Sequence, residues 1–348
     1  MEMATLCASH TDRSFVGGAH HLYKASGCWG GDVGTLRGFA RPLLPRTRAP
    51  AGFKIFGLDS VSGQTYTMKC VNCPNCSQPV LPHERHCVRC QTDCGFPNVR
   101  AAQQPAEKNA LAVRIKSAED DAKSRHTEPV LDSFRDAVRK SRAVRVRAFA
   151  EVYGLVKSDN KLLGTFYDLK GAGLLRPAAT EMEASRQSAE PLVFLNYQDK
   201  IQFAALSLSD DALFAYGDCA MVFQESAIAN RATVFEENCV LFCERLSRGP
   251  GRTNLPPGHR ATWDQRHELA AAKLASKLHP GTKDVDFPGI LLCTDTKNTR
   301  NDDFIEVHIY DRLHRSALDY VVVRSKRATK AQIKEMETVL GAGKVKIS

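Results

Sequence analysis

The sequence predicts an α+β protein in which a small cysteine-rich module precedes a larger domain of mixed strands and helices. Three observations predict it. Six of the twelve cysteines fall within the 25 residues from Cys70 to Cys94. Further on, short runs with two-residue alternation, such as "FIEVHIY", are interspersed with stretches of helical periodicity. Two capping-box patterns, Thr262 with Gln265 and Thr329 with Gln332, mark helix starts among those strands. The 348 residues leave room for two domains or for one with appendages, and 43% are hydrophobic, enough for a core. No apolar run reaches the roughly 18 residues of a membrane span. Met1 to Gly18 lacks the apolar centre of a signal peptide. A secreted disulfide scaffold would be smaller and would carry such a signal, so a reduced, cytoplasmic setting is expected.

The elements follow in chain order. Residues 1–67 are rich in Gly, Pro, Arg and His and poor in acids. They read as a disordered leader, or as residues ahead of a true start at Met68. Residues 68–100 are the cysteine module. Residues 101–142 read as a basic helical linker of two helices, "EKNALAVRIKSAEDDAKSR" and "EPVLDSFRDAVRKSR". Residues 143–325 form the mixed domain. In it "CAMVF" and "TVFEENCVLF" read as strands. A helix then starts at Thr262, with an apolar stripe of Trp263, Ala270, Leu274 and Leu278, and stops at Pro280-Gly281. "GILLC", "FIEVHIY" and "YVVV" read as further strands, with a turn or short helix at Ser316–Asp319. Residues 326–348 are a basic C-terminal helix, Thr329–Leu340 closed by Gly341, and a tail.

"CPNCSQPVLPHERHCVRC" has the spacing C-x2-C-x10-C-x2-C. Zn²⁺ takes four soft ligands in a tetrahedron, and each C-x-x-C turn supplies two of them. Cys73, Cys76, Cys87 and Cys90 are the expected ligands of a structural zinc ribbon. Cys70 and Cys94 offer alternative pairings, and His83 and His86 read as loop residues. A closed four-ligand site has no open position for catalysis.

The net charge of +9 favours polyanionic partners. "RKSRAVRVR" carries five cations and no acid, and "VRSKRATKAQIKEMETVLGAGKVKIS" carries seven against two acids. Both can contact nucleic-acid phosphates from the linker and the tail, and both also fit a merely solvated face.

Phe304 to Tyr310 poses the sharpest question. Ile305, Val307 and Ile309 share one face of a strand; Phe304, Glu306, His308 and Tyr310 share the other. Aromatic-Glu-His-aromatic is how the wall of a catalytic cleft reads, apolar with one or two ionisable groups aimed inward. A water-facing strand would have little use for Phe304 and Tyr310.

"EVHIYDRLHRSALDYVVV" resembles the closing segment of ADP-ribosyltransferases, especially the DarT-type enzymes that modify nucleic acid. In that family a strand carries the catalytic glutamate, and a short helix leads into a final apolar strand. "YGDCAMVFQESAIANRATVF" resembles the family's central segment, a strand near the nicotinamide pocket followed by a short helix. "AVRVRAFAEVYGLVKSDN" resembles its opening strand and helix, where an Arg or His contacts NAD. The resemblance covers about 180 residues. It implies Glu306 as the catalytic carboxylate, with His308 beside it. It implies Arg145 and Arg147 as contacts to the NAD pyrophosphate, Tyr216 against nicotinamide, and Arg231 and Tyr310 bordering the site. It also implies a toxin or defence role with an inhibitory protein partner. The sequence departs from the family in two places. Its aromatic-rich central motif is absent, and Phe304 stands where arginine-modifying relatives have a second acid.

Two other readings remain open. One is a non-enzymatic zinc-ribbon module that binds nucleic acid or protein. The other is a metal-dependent nuclease built from Asp295, Lys297, Asp302, Asp303 and Glu306. Glu236 and Glu237 are alternative acids, and Cys239 and Cys243 read as core residues.

Overall fold

The computed structural model describes residues 71–173, 180–210, 212–247, 255–295 and 297–348. The leader and Cys70 lie outside them. The fold is mixed α+β around one eight-stranded sheet. Its strands are β1 (Arg142–Arg147), β2 (Ile201–Ser207), β3 (Cys219–Phe223), β4 (Ala232–Phe235), β5 (Arg260–Thr262), β6 (Glu306–Tyr310), β7 (Leu318–Val323) and β8 (Val345–Ile347), in the spatial order β8-β7-β3-β1-β2-β6-β4-β5. All neighbours are antiparallel except β7 and β8, which run parallel.

The alternation in β6 sorts its residues between two cores. Val307 and Ile309, with Ile305 just before the strand, join the main hydrophobic cluster. Over that face lie α2 (Pro105–Ser124) and α3 (Glu128–Arg139), which follow a short α1 (Pro97–Ala102). Leu131, Phe134 and Val138 of α3 are buried in this cluster with Leu269 and Leu274 of a later helix, Arg266–Leu274. The Phe134 ring meets Phe287 edge-on at 5.2 Å. Residues 101–142 are therefore two packed core helices and not a linker. Their apolar positions recur at helical spacing, and the outward faces carry acids such as Glu119, Asp120 and Asp132 beside the cations.

Phe149, Val152, Leu155 and Val156 of α4 (Phe149–Lys157) join the same main cluster, and α5 (Phe166–Gly171) follows it. The opposite face carries α6 (Thr180–Phe194) and α8 (Cys239–Ser247), whereas Ile228 of the intervening α7 (Glu225–Ile228) returns to the main cluster. Val193 and Phe194 of α6 and Val240, Phe242 and Cys243 of α8 form a second cluster with Ile201, Phe235 and Tyr310. Cys239 and Cys243 are core residues, as expected.

Several boundaries depart from the sequence reading. "TVFEENCVLF" is strand only through Phe235. Asn238 then accepts from the backbone N–H groups of Val240 and Leu241 at 3.0 and 3.2 Å and starts α8. "GILLC" is mostly the helix Phe287–Leu291. The Thr262 helix opens as one 3₁₀ turn, Trp263–Gln265, and becomes α-helical only at Arg266. The turn after β6 is 3₁₀ at Arg315–Ala317. At the C-terminus the Thr329–Gln332 capping box is present, and Gly341 closes the helix Lys330–Leu340 at φ 108. The chain beyond Gly341 is no free tail, because Val345–Ile347 is the edge strand β8. Among the described residues no helix is long and apolar enough to cross a membrane.

Candidate functional site

Strand pairing creates the cleft. β1 pairs with β2 at Arg142↔Ser207, Ala143↔Leu206 and Val144↔Ala205, where the pairing stops. From there β1 follows β3 to Arg147↔Cys219, and β2 follows β6 to Ile201↔Tyr310. The sheet forks, and a cleft of about 550 Å³ lies in the fork. Arg145 and Arg147 stand on one lip, with Phe203 to Ala205 and Glu306 on the other. Tyr216, Phe304, Phe166 and Leu213 supply apolar wall, and Lys170, Arg186 and Arg300 add cations. The segment after α4 straps the fork: Gln202 donates to the Leu163 carbonyl at 2.8 Å, and Arg145 to that of Gly164 at 3.4 Å. Thr165 and Asp168 then form a capping box that starts α5.

Glu306 is the carboxylate of the cleft, and only 4% of it is exposed. Its Oε2 accepts from the backbone N–H of Cys239, the first residue of α8, at 3.1 Å. The same oxygen lies 2.8 Å from Nε2 of His308. The Asn238 amide reaches its other oxygen at 3.5 Å. The unpaired N–H groups and dipole of a helix start favour an anion at this point. His308 is boxed by Phe194, Phe203 and Phe235, with ring centroids at 4.7, 5.6 and 5.6 Å. It therefore holds the Glu306 carboxylate from below and does not line the cleft.

Arg145 is 4% exposed, and its Nη1 is buried without a hydrogen-bond partner. A desolvated guanidinium nitrogen left unpaired is costly, and an anionic ligand would satisfy it. Burial pulls the Arg147 guanidinium below its ordinary value, with Glu151 opposing the shift. Arg186 pairs with the buried Glu190 at 2.7 Å and lies over the Phe166 ring at 4.3 Å. Burial raises the Glu190 carboxyl, although Arg186 works against it. At Gly217 a Cβ would run into the Arg147 carbonyl, so only glycine lets the Tyr216 loop approach β1.

The fork thus gathers Glu306, Arg145, Arg147 and Tyr216. Arg231 and Tyr310 lie elsewhere, which corrects their expected role at a cofactor site. The Arg231 guanidinium donates to the carbonyls of Ala227 and Tyr310 at 3.1 and 3.4 Å. The Tyr310 ring packs between Phe96 and Tyr197. Both belong to the far end of β6, about one strand length from Glu306. Glu236 is engaged by His259 and Arg114, and Glu237 by Arg245. The nuclease acids disperse: Asp303 pairs with Lys273 and Lys277, while Asp295 and Asp302 order their own loop. Asn238 escapes the sequence reading, although an Asn ahead of an apolar helical run is a legible helix start. Arg186 and Arg300 carry no local signal.

The cysteine module is a second site. Val71–Asn72 pairs with Pro79–Val80, and the C-x-x-C repeats form two turns of matching build. In each, the residue after the second cysteine is left-handed, Ser77 at φ 57 and Gln91 at φ 60. The four thiols of Cys73, Cys76, Cys87 and Cys90 lie within 4.8 Å of one another, and none is in a disulfide. Tetrahedral Zn–S bonds of about 2.3 Å place sulfurs about 3.8 Å apart. The pairs Cys73–Cys90 and Cys76–Cys87 stand at 3.5 and 3.4 Å, so the group can hold a metal ion and fits Zn²⁺. Cys94 is outside the group, its thiol directed at the Thr92 carbonyl.

No protein-family model matches the chain, and no curated protein matches it.

Proposed function

We propose that the protein is an NAD-dependent ADP-ribosyltransferase whose acceptor is nucleic acid, with a structural Zn²⁺ at the four cysteines. One observation carries the reading: the sheet fork sets a helix-held carboxylate, Glu306, across from a buried arginine, Arg145, and a half-buried one, Arg147. Breaking the bond between nicotinamide and ribose leaves positive charge on the sugar, as in glycoside hydrolysis. A carboxylate fixed in a dry site stabilises that charge without having to reorganise. The bond electrons leave with nicotinamide, the acceptor nucleophile bonds to the ribose C1 carbon, and the acceptor proton passes to solvent. The arginines would hold the pyrophosphate, and Tyr216 would offer its ring to nicotinamide. Five cations line the cleft against one carboxylate, which supports a polyanionic acceptor beside the dinucleotide.

Nicotinamide release from NAD tests this, with wild type and Glu306→Gln each run without acceptor, with single-stranded DNA and with RNA. The expected result is release that rises with one nucleic acid and falls about 100-fold or more in the variant. Equal release by both folded proteins, or none from either, sinks the reading.

A further inference from the structure

We infer that Cys239, Glu306 and His308 form a second metal site, for a borderline divalent cation such as Zn²⁺, separate from the four-cysteine group. One sulfur, one carboxylate oxygen and one imidazole nitrogen lie within 4.8 Å of one another, and all three residues are buried. These are the three donor types that Zn²⁺ accepts. A thiolate and a carboxylate balance the charge of a dication, so the ion can enter a dry site without leaving net charge there. Binding would release the Cys239 thiol proton to solvent. Phe194, Phe203 and Phe235 fix the His308 ring against the group. Glu306 also lines the cleft, so the group adjoins it, and a water from the cleft would complete four ligands. The site would have three protein ligands, against four in the cysteine group.

A regulatory consequence also arises, and it rests on the transferase reading. An ion on Glu306 would cancel the charge that stabilises the cationic ribose, so free Zn²⁺ would inhibit turnover.

Metal counting tests the site without NAD. Full-length protein with one Zn²⁺ already bound is titrated with Zn²⁺, and in parallel with Co²⁺ while the thiolate-to-Co²⁺ absorption band is followed. Wild type should take up a further equivalent with that band. Cys239→Ala and His308→Gln, shown to be folded by circular dichroism, should lose the band or bind at least about tenfold more weakly. No further equivalent in wild type overturns the inference, and so does one that survives in both variants. If Cys239→Ala does not fold, the wild-type titration and His308→Gln decide. Inhibition of nicotinamide release is read separately, so an inactive protein would sink the transferase reading and leave the metal count standing.

Discussion

Glu306 is a buried carboxylate held between a helix start and a histidine. It takes a backbone N–H from the start of α8 and borders an imidazole. Asn238 prepares that spot by capping the helix that receives the carboxylate. Asn238→Ala should cost about 1 kcal/mol of stability, measured by urea unfolding. Arg145 is the complementary residue on the other lip. Arg145→Met keeps most of the packing and removes the charge. In the proposed reaction it should raise KM for NAD by about 10- to 100-fold, the worth of a charged hydrogen bond, while the fold persists. An unchanged KM would mean that the buried guanidinium has a purely structural role.

At the scale of elements, α1 joins the cysteine module to the sheet. Asn98 is buried at 2% exposure, and its amide donates to the carbonyls of Arg231 and His308 at 2.9 and 3.0 Å. Phe96 lies against Tyr310, with Arg85 over its other side. Arg100 reaches back to the carbonyls of Leu81, Pro82 and Glu84. Asn98→Ala removes both hydrogen bonds, each worth about 0.5–1.5 kcal/mol, and should destabilise by about 1–3 kcal/mol, with faster amide exchange across residues 306–310. Helix α5, which walls the cleft through Phe166 and Lys170, has a pH-sensitive anchor. Arg312 grips Asp168 through two bonds, at 2.6 and 2.9 Å, and holds its carboxyl down at about 2. The unfolded-state value is about 3.9, so the anchor acts in full above that pH and fades as pH falls toward 2. The melting temperature of wild type should exceed that of Asp168→Asn above about pH 4, and the gap should close on acidification. A gap independent of pH would show that charge is not its cause.

For the molecule as a whole, the described residues are knit together in a way that would couple a metal at the four cysteines to the fold. The cysteine module touches the sheet through α1, and α2 and α3 share the main core with it. Removal of the metal by a chelator should therefore lower the melting temperature of the whole domain by at least about 4 °C. A separate low-temperature transition with the main one unmoved would mean that the module is thermodynamically independent.

Local chemistry made much of this legible in the sequence. The C-x2-C-x10-C-x2-C spacing named the four clustered cysteines, because two short turns suffice to gather them. Strict alternation placed Glu306 and His308 on one face of β6, since the pleat alone sets that. The capping box at Thr329 and the glycine at 341 bounded the last helix. What the sequence left open depends on contacts between distant segments. The fork between β1 and β2 exists because pairing stops at Val144↔Ala205, and no local pattern reports where two strands part. That fork decided which predicted residues meet, bringing in Arg145, Arg147 and Tyr216 and leaving out Arg231 and Tyr310. It also recruited Arg186 and Arg300, which carry no sequence signal. The supposed linker became core for the same reason: an amphipathic helix shows in sequence that it must bury a face, but only the tertiary structure supplies the surface that buries it.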